Sequence, residues 1–324
     1  MINTLTLGKQ NFSVNLIQGP LAGISCSSFR KLVWEYSKPA FTCTEMISCK
    51  TLLYQVKSNY RFTHIDPQEG PVCFQLSGSD PKELAEATQL ITNQGASLID
   101  LNCGCPVNKI RAKGAGSSLL ANPKKLYQLI LAMKNNTHLP VSIKIRVDGL
   151  SNTTFNNDII NVVNDSGVDF ITVHGRHWTE RYDTPCRYDQ IEFFVANLTI
   201  PVIGNGDVAC EDSLKRMMQT GCAGAMIGRA SVGQPWLIGQ LLASCRQEAF
   251  LRPSVQKIGQ LFIEHVYSLS KLLNNEKFAI IQARKFAKYY ARDIEQRMDF
   301  CFEINQCQRF DDFQHICENY FITQ

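Results

Sequence analysis

One rhythm constrains this chain more than any other feature. A short apolar run ends in polar or glycine residues, gives way to a segment with helical spacing, and the unit then recurs. The runs are Leu16–Gly19, Ala40–Glu45, Val72–Leu76, Leu98–Leu101, Val141–Ile145, Phe170–Val173, Val202–Gly204 and Ala225–Ile227. Such alternation makes the strands parallel and puts the helices outside them. Asp80-Pro81 and Asn122-Pro123 each set a capping residue before a proline, which predicts helices over Lys82–Asn93, stopped by Gly95, and over Lys124–Lys134. Eight strand–helix units close a (β/α)8 barrel of the TIM type. The competing open, doubly wound sheet usually has fewer strands and needs a Gly-rich dinucleotide fingerprint after the first of them. Gly19-Pro20-Leu21-Ala22-Gly23 lacks that spacing, so the barrel is the expected fold. Ahead of it, Leu5, Leu7, Phe12 and Val14 around Gly8-Lys9-Gln10 predict a short hairpin.

The rhythm stops near Ala243, and only i, i+3, i+4 apolar spacing remains over Ser254–Leu273, Phe278–Arg292 and Asp311–Tyr320. The expected organisation is a catalytic barrel over residues 1–243 and a small all-helical domain over 244–324. With 44% hydrophobic and 19% charged residues in 324, the chain can bury both cores. The 13 cysteines form no C-x-x-C pair, which leaves a zinc site unsupported and suits reduced thiols in a cytoplasmic protein. No metal is expected. The N-terminus has no apolar h-region, and no run approaches the roughly 18–20 apolar residues of a membrane span. A monomer is the default expectation. A net charge of +4 neither requires nor excludes a polyanionic partner, so that question rests on where the cations sit.

Barrel enzymes carry their chemistry at the C-terminal ends of the strands. Here those ends present Pro20-Leu21-Ala22, Gln75, Asn102 with Cys105, Lys144, His174, Asn205-Gly206-Asp207 and Gly228-Arg229. The last two groups supply glycine amides and a guanidinium where such barrels hold phosphate; the plainer reading is that the glycines only permit tight turns. Lys144 alternates with Val141, Ile143 and Ile145 and so points opposite to the apolar side chains, where a cation is costly to bury unless paired. Cys105 is flanked by Gly104 and Pro106 on a loop of this face, whereas Cys103 reads as a small buried hydrophobe. A thiol with an ordinary pKa near 8.5 is mostly protonated at neutral pH and can serve as an acid.

Taken in order, several stretches resemble the tRNA-dihydrouridine synthase family, most of all its bacterial B type. They are Gly19-Pro20-Leu21-Ala22-Gly23-Ile24, Gln75-Leu76, Asp100-Leu101-Asn102-Cys103-Gly104-Cys105-Pro106, Lys144-Ile145-Arg146, His174-Gly175-Arg176, Pro201–Asp207, Met226–Arg229 and Ala283-Arg284-Lys285. The resemblance implies an FMN enzyme in which Pro20, Leu21 and Ala22 lie against the isoalloxazine. Gln75 and Lys144 would bind its pyrimidine edge, and His174 would sit beside it or the ribityl chain. Asn205, Gly206, Asp207, Gly228 and Arg229 would hold its tail and phosphate. A cation at Lys144 would stabilise negative charge on the reduced ring. Asn102 would orient the target uracil, Arg176 would contact substrate, and Cys105 would protonate it. NADPH is the implied reductant, with NADH open because no dinucleotide motif is present, and position 17 of tRNA is the implied target.

Two departures stand out. Ser25-Cys26-Ser27-Ser28 replaces the usual Asp and Pro of the first loop, with Ser27 available to cap the next helix. After Arg176 the usual Thr-Arg is replaced by His177-Trp178, followed by Thr184-Pro185-Cys186.

For the tRNA partner, Arg284, Lys288 and Arg292 are four apart and predict one helix face, with Lys277, Lys285 and Arg297 nearby. Lys109, Arg111 and Lys113 make a second cluster just beyond Cys105. Both suit phosphate contacts, though a solvated charged face is the plainer reading of the first. The rival functions are an FMN barrel acting on a free pyrimidine, as dihydroorotate dehydrogenases do, and a non-catalytic RNA-binding protein on this scaffold. The first has no need of a basic helical domain, and the second no need of Cys105 and Lys144.

Overall fold

The computed structural model describes residues 2–55, 60–148 and 153–321. Strands β1 (Leu5–Leu7) and β2 (Gln10–Phe12) form the expected hairpin, with Leu5 opposite Phe12. The remaining strands are parallel: β3 (Leu16–Gln18), β4 (Thr42–Cys43), β5 (Ile47–Ser48), β6 (Val72–Ser77), β7 (Leu98–Cys103), β8 (Val141–Arg146), β9 (Phe170–His174), β10 (Val202–Asn205) and β11 (Gly224–Ile227). β3 pairs with both β11 and β4, and β4 pairs with β6, so the sheet closes on itself as an eight-stranded barrel. All eight expected strands are present. The second is broken: β4 pairs with the start of β6 and β5 with its end, and Thr44–Met46 bulge between them.

The helices are α1 (Ser27–Ser37), α2 (Cys49–Tyr54), α3 (Tyr60–Thr63), α4 (Pro81–Asn93), α5 (Asn108–Arg111), α6 (Pro123–Lys134), α7 (Thr153–Ser166), α8 (Tyr188–Asn197), α9 (Glu211–Gln219), α10 (Leu237–Cys245), α11 (Val255–Leu273), α12 (Glu276–Tyr290), α13 (Arg297–Gln306) and α14 (Phe310–Phe321). The two predicted caps form. Asp80 Oδ1 accepts the N–H groups of Lys82 and Glu83 at 2.9 Å, and Asn122 Oδ1 accepts that of Lys125 at 3.0 Å. Ser27, by contrast, caps nothing. It is the first residue of α1, the cap position falls on Cys26 without a side-chain cap bond, and the Ser27 hydroxyl donates to Glu69 at 2.5 Å.

Strand alternation decides what fills the barrel. Val141, Ile143 and Ile145 pack outward against the helices, while Ser142, Lys144 and Arg146 point the other way. Parallel register carries that inner face across the neighbours, with Asn102 beside Lys144, Thr172 beyond it, and His174 beside Arg146. The bottom is apolar: Phe12 of the hairpin meets Phe41 at 5.5 Å between ring centroids, and Phe41 meets Phe170 at 6.3 Å. The hairpin is therefore a plug, and polar residues collect at the opposite end.

The helices α11 to α14 build a second core around Phe262, which stacks on Tyr290 at 4.5 Å and packs edgewise on Phe286, Phe300 and Phe313. Cys26, Leu32, Val232 and Trp236 from the barrel portion belong to the same cluster. Gly233 explains the close fit. Its φ of +70° suits glycine, and a side chain there would meet the Tyr289 backbone at 2.5 Å. The end of α12 is thereby held against the loop that follows β11.

Candidate active site

The polar end of the barrel holds one continuous hydrogen-bond chain. Ser142 Oγ donates to Asp100 Oδ1 at 2.6 Å, and Gln75 Nε2 donates to Asp100 Oδ2 at 2.8 Å. Asn102 Nδ2 donates to Gln75 Oε1 at 2.8 Å, and Asn102 Oδ1 accepts the backbone N–H of Cys105 at 2.9 Å and that of Gly104 at 3.3 Å. Burial raises the Asp100 carboxyl to about 6, against the opposing pull of Ser142, Gln75 and Lys144. Cys103 lies on the other face of β7, fully buried, and burial drives its thiol well up. Cys105 is partly accessible. Gln75 and Asn102 are thus brought together as expected, but each is bonded to the other, and Gln75 does not line the open cavity.

That cavity, about 400 Å³, opens between β8 and β3 around the barrel mouth and contains most of the remaining candidates. Lys144 Nζ donates to Asn205 Oδ1 at 2.8 Å, and Asn205 Nδ2 donates to Met226 O at 2.8 Å, which fixes the orientation of that amide. Burial lowers the Lys144 ammonium to about 8, helped by Arg146 and opposed by Asp100. His174 is kept neutral, well below its ordinary range, by burial and then by the cations Lys144, Arg146, Arg176 and Arg229. Arg176 Nη1 lies 3.2 Å from His174 Nε2. Arginine can only donate, so Nε2 accepts and the ring proton belongs on Nδ1. Pro20 and Leu21 form the opposite wall, whereas Ala22 is exposed and does not line the cavity.

At the far end, Gly206 has φ +138° and Asp207 φ +54°, a turn that exposes their backbone beside Gly228 and Arg229. Asp207 would repel an anion, but both its oxygens accept from Arg176 Nη2 at 2.6 Å. Arg176 is 1% exposed and also donates to Thr184 O at 2.5 Å and Tyr182 O at 3.3 Å. It neutralises Asp207 and anchors the 182–184 loop, a role the sequence expectation of substrate contact did not include. Lys144, Arg229 and Arg292 then stand against no free carboxylate among the cavity residues. Glycine backbone, a guanidinium and an excess of cations fit a phosphate-bearing ligand.

Tyr182, Tyr289 and Arg292 also line the cavity. The Arg229 guanidinium carbon sits 3.7 Å over the Tyr182 ring, with that of Arg146 at 5.8 Å. Arg146 could have been found from Lys144, two residues earlier on the same strand face; Tyr182 carries no sequence signal.

The expected basic helix face is divided. Arg284 reaches back to donate to Cys307 O at 3.0 Å, and Arg292, in a 3-10 turn past the end of α12, donates to Val232 O at 2.7 Å. Lys288 remains exposed, and so does Lys285, beside Gly23 of the first loop. Lys109 and Lys113 are exposed, while Arg111 stacks on Trp178. Among the described residues no cluster of three His, Cys, Asp or Glu could hold a metal ion, and no helix is long and apolar enough to cross a membrane.

The comparisons with known proteins agree with this architecture. The family model described as dihydrouridine synthase (Dus) matches residues 17–324. tRNA-dihydrouridine synthase B of Escherichia coli (strain K12) is 31% identical over 322 residues, covering 98% of this chain and 99% of that protein. A probable tRNA-dihydrouridine synthase 1 of Synechocystis is 32% identical over 316 residues, covering 95% and 87%. Among solved structures, the old yellow enzyme homologue from Zymomonas mobilis aligns with a TM-score of 0.57 at 8% identity, over 79% of this chain and 95% of that one, a likeness of fold alone. With a family match from the first barrel strand to the last helix and relatives of matching length, the chain belongs to the dihydrouridine synthase family, alongside the bacterial B type.

Proposed function

We propose that this protein reduces the C5=C6 bond of a tRNA uridine to 5,6-dihydrouridine, with FMN bound in the barrel mouth and Cys105 as proton donor. The observation that carries the reading is the cation-lined cavity beside the anchored Cys105 loop, in a chain of this family. Bound FMN supplies the hydride that uracil C6 receives, and NADPH, or NADH, restores it.

The chain's own residues do the rest. Of the residues that line the cavity, Gly206, Gly228 and Arg229 would hold the phosphate, Asn205 and His174 the tail, and Pro20 and Leu21 the ring. Lys144 places positive charge at the pyrimidine edge. As C6 gains hydride, negative charge develops through C5 and the C4 carbonyl, and Cys105 Sγ delivers its proton to C5. The uridine must leave its stack to reach a barrel mouth. The helical domain carries the tRNA, and likeness to the B type favours position 17. The protein works in the cytoplasm as a monomer.

The test has two parts. The chromophore released from denatured protein should be FMN, and nucleoside mass spectrometry of tRNA from a strain lacking the gene should show dihydrouridine lost at one position. Cys105→Ala should keep its flavin and lose about 10²–10⁴-fold in uridine reduction, the usual share of general acid catalysis. Cys103→Ala should stay near the parental rate. Unchanged tRNA, together with turnover of a free pyrimidine, would favour the dihydroorotate-type rival.

A further inference from the structure

The loop after β9 carries His177-Trp178, one of the two places where this sequence departs from the pattern it otherwise resembles. The structure shows what fills that place. The Arg111 guanidinium lies over Trp178, its central carbon 3.3 Å from the ring centroid. Arg111 comes from α5, on the loop that also carries Cys105, so a cation delivered after β7 rests on an aromatic delivered after β9. The loop after β9 is also tied to β8, through Arg146 Nη1 donating to His177 O at 2.8 Å.

Two observations separate this pair from a packing contact. The Arg111 side chain makes no ion pair or hydrogen bond among the described residues, and its Nε is buried without a partner. Lys109 and Lys113, on either side, are exposed, so Arg111 alone of the three is held in place. A fixed, unpaired guanidinium at the rim of an active site is set for an anion, and a half-buried indole is a stacking surface for a base.

We infer that Arg111 and Trp178 form a nucleotide-binding step beside Cys105. Arg111 takes a phosphate of the strand flanking the reduced uridine, and the adjacent unstacked base lies against the face of Trp178 that Arg111 does not cover. This rests on the proposed tRNA substrate and assigns the residues that read its neighbouring nucleotide. Stacking tolerates any base and is little affected by salt, whereas the phosphate contact weakens as salt rises.

The test measures kcat and KM on tRNA, and Kd by filter binding, for the flavin-loaded parent, Trp178→Phe, Trp178→Leu and Arg111→Met. Trp178→Leu should raise KM and Kd about tenfold, the scale of a lost stacked base, with kcat and flavin content nearly unchanged. Trp178→Phe should recover most of the loss. Arg111→Met should raise both constants and reduce the logarithmic salt slope by about 0.7–0.9, and it keeps the inference testable if Trp178→Leu misfolds. Parental Kd in both Trp178→Leu and Arg111→Met, or equal losses in the Phe and Leu variants, would overturn it. A parent that binds tRNA without forming dihydrouridine would instead count against the proposed reaction, and the Kd series would still decide the step.

Discussion

Asn102 Oδ1 accepts the Cys105 backbone N–H at 2.9 Å while its Nδ2 donates to Gln75, which donates in turn to the buried Asp100. The loop bearing the proposed acid is therefore pinned to the barrel interior through two amides. Asn102→Ala removes the acceptor and leaves Gln75 Oε1 unpaired, at a stability cost of about 1–3 kcal/mol. With Cys105 present but loosely held, kcat should fall about 10²-fold, the scale of a small misplacement of a reacting group. Flavin content should be unchanged. A rise in KM at parental kcat would show that Asn102 binds uracil without positioning Cys105.

The barrel was legible because its strands are buried on both faces and read as apolar runs separated by capped helices. The polar strand ends were legible for the same reason, since Lys144 interrupts Ile143 and Ile145. Helix α13 was not. Met298, Phe300, Phe302 and Ile304 alternate as a strand would, yet only Phe300 and Ile304 are buried, while Met298 and Phe302 are 81% and 64% exposed. Periodicity cannot distinguish a helix that leaves half its apolar residues in water. The basic face failed differently: spacing by four aligns Arg284, Lys288 and Arg292 on an ideal helix, but α12 ends at Tyr290, and the long side chain of Arg284 turns back to Cys307. Arg176 and Tyr182 depend on a loop whose path no local pattern encodes.

Lys144 should leave a mark on stability against pH. Its ordinary pKa is near 10.4, and burial brings it to about 8 in the fold. Between those values the unfolded chain keeps a proton that the folded protein has released, so stability rises with pH. The full shift corresponds to about 3 kcal/mol, and solvent at the open mouth should reduce the observed gain to about 1–2 kcal/mol. Asp100, raised to about 6, acts in the opposite sense between about pH 4 and 6, below this window. Urea unfolding of flavin-free protein at pH 7.5 and 9.5 should show this gain as the difference between the parent and Lys144→Met, because the buried cysteines, whose thiols burial pushes up, oppose it equally in both. Identical pH dependence in the two would mean that Lys144 is not carried as a buried cation.

Flavin retention should divide between Arg229 and the ring beneath it. Arg229→Ala loses charge-assisted bonds worth about 1.5–3 kcal/mol, so the Kd of apoprotein for FMN should rise about 10- to 100-fold. Tyr182→Ala keeps the guanidinium but removes the ring 3.7 Å below it, a contact worth about 0.5–2 kcal/mol. Its Kd should rise about 3- to 10-fold, and Tyr182→Phe should stay near the parent. Fluorescence titration with FMN reads all three. A parental Kd in Tyr182→Ala would show that the stacked pair does not organise the phosphate end.

The structure also changes which cations should be tested against tRNA. Arg284 is bonded to the chain that links α13 and α14, so reversing its charge would disturb the helical core as well as the surface field. Arg292 lines the mouth cavity proposed to hold the flavin, so altering it would confound RNA binding with flavin loss. Lys285 and Lys288 avoid both problems. Each is exposed, they lie three residues apart on one face of α12, and the Lys285 amine approaches Gly23 on the rim of the mouth. An exposed substitution away from packing usually changes stability by less than about 0.5 kcal/mol, so Lys285→Glu with Lys288→Glu should melt near the parent and keep its flavin. If both lysines contact phosphate, the logarithmic salt slope of tRNA binding should fall by about 1.4–1.8, twice the single-strand to duplex range for one contact. A slope that does not change would make this face ordinary solvated surface and leave the tRNA to the Lys109–Lys113 side of the mouth.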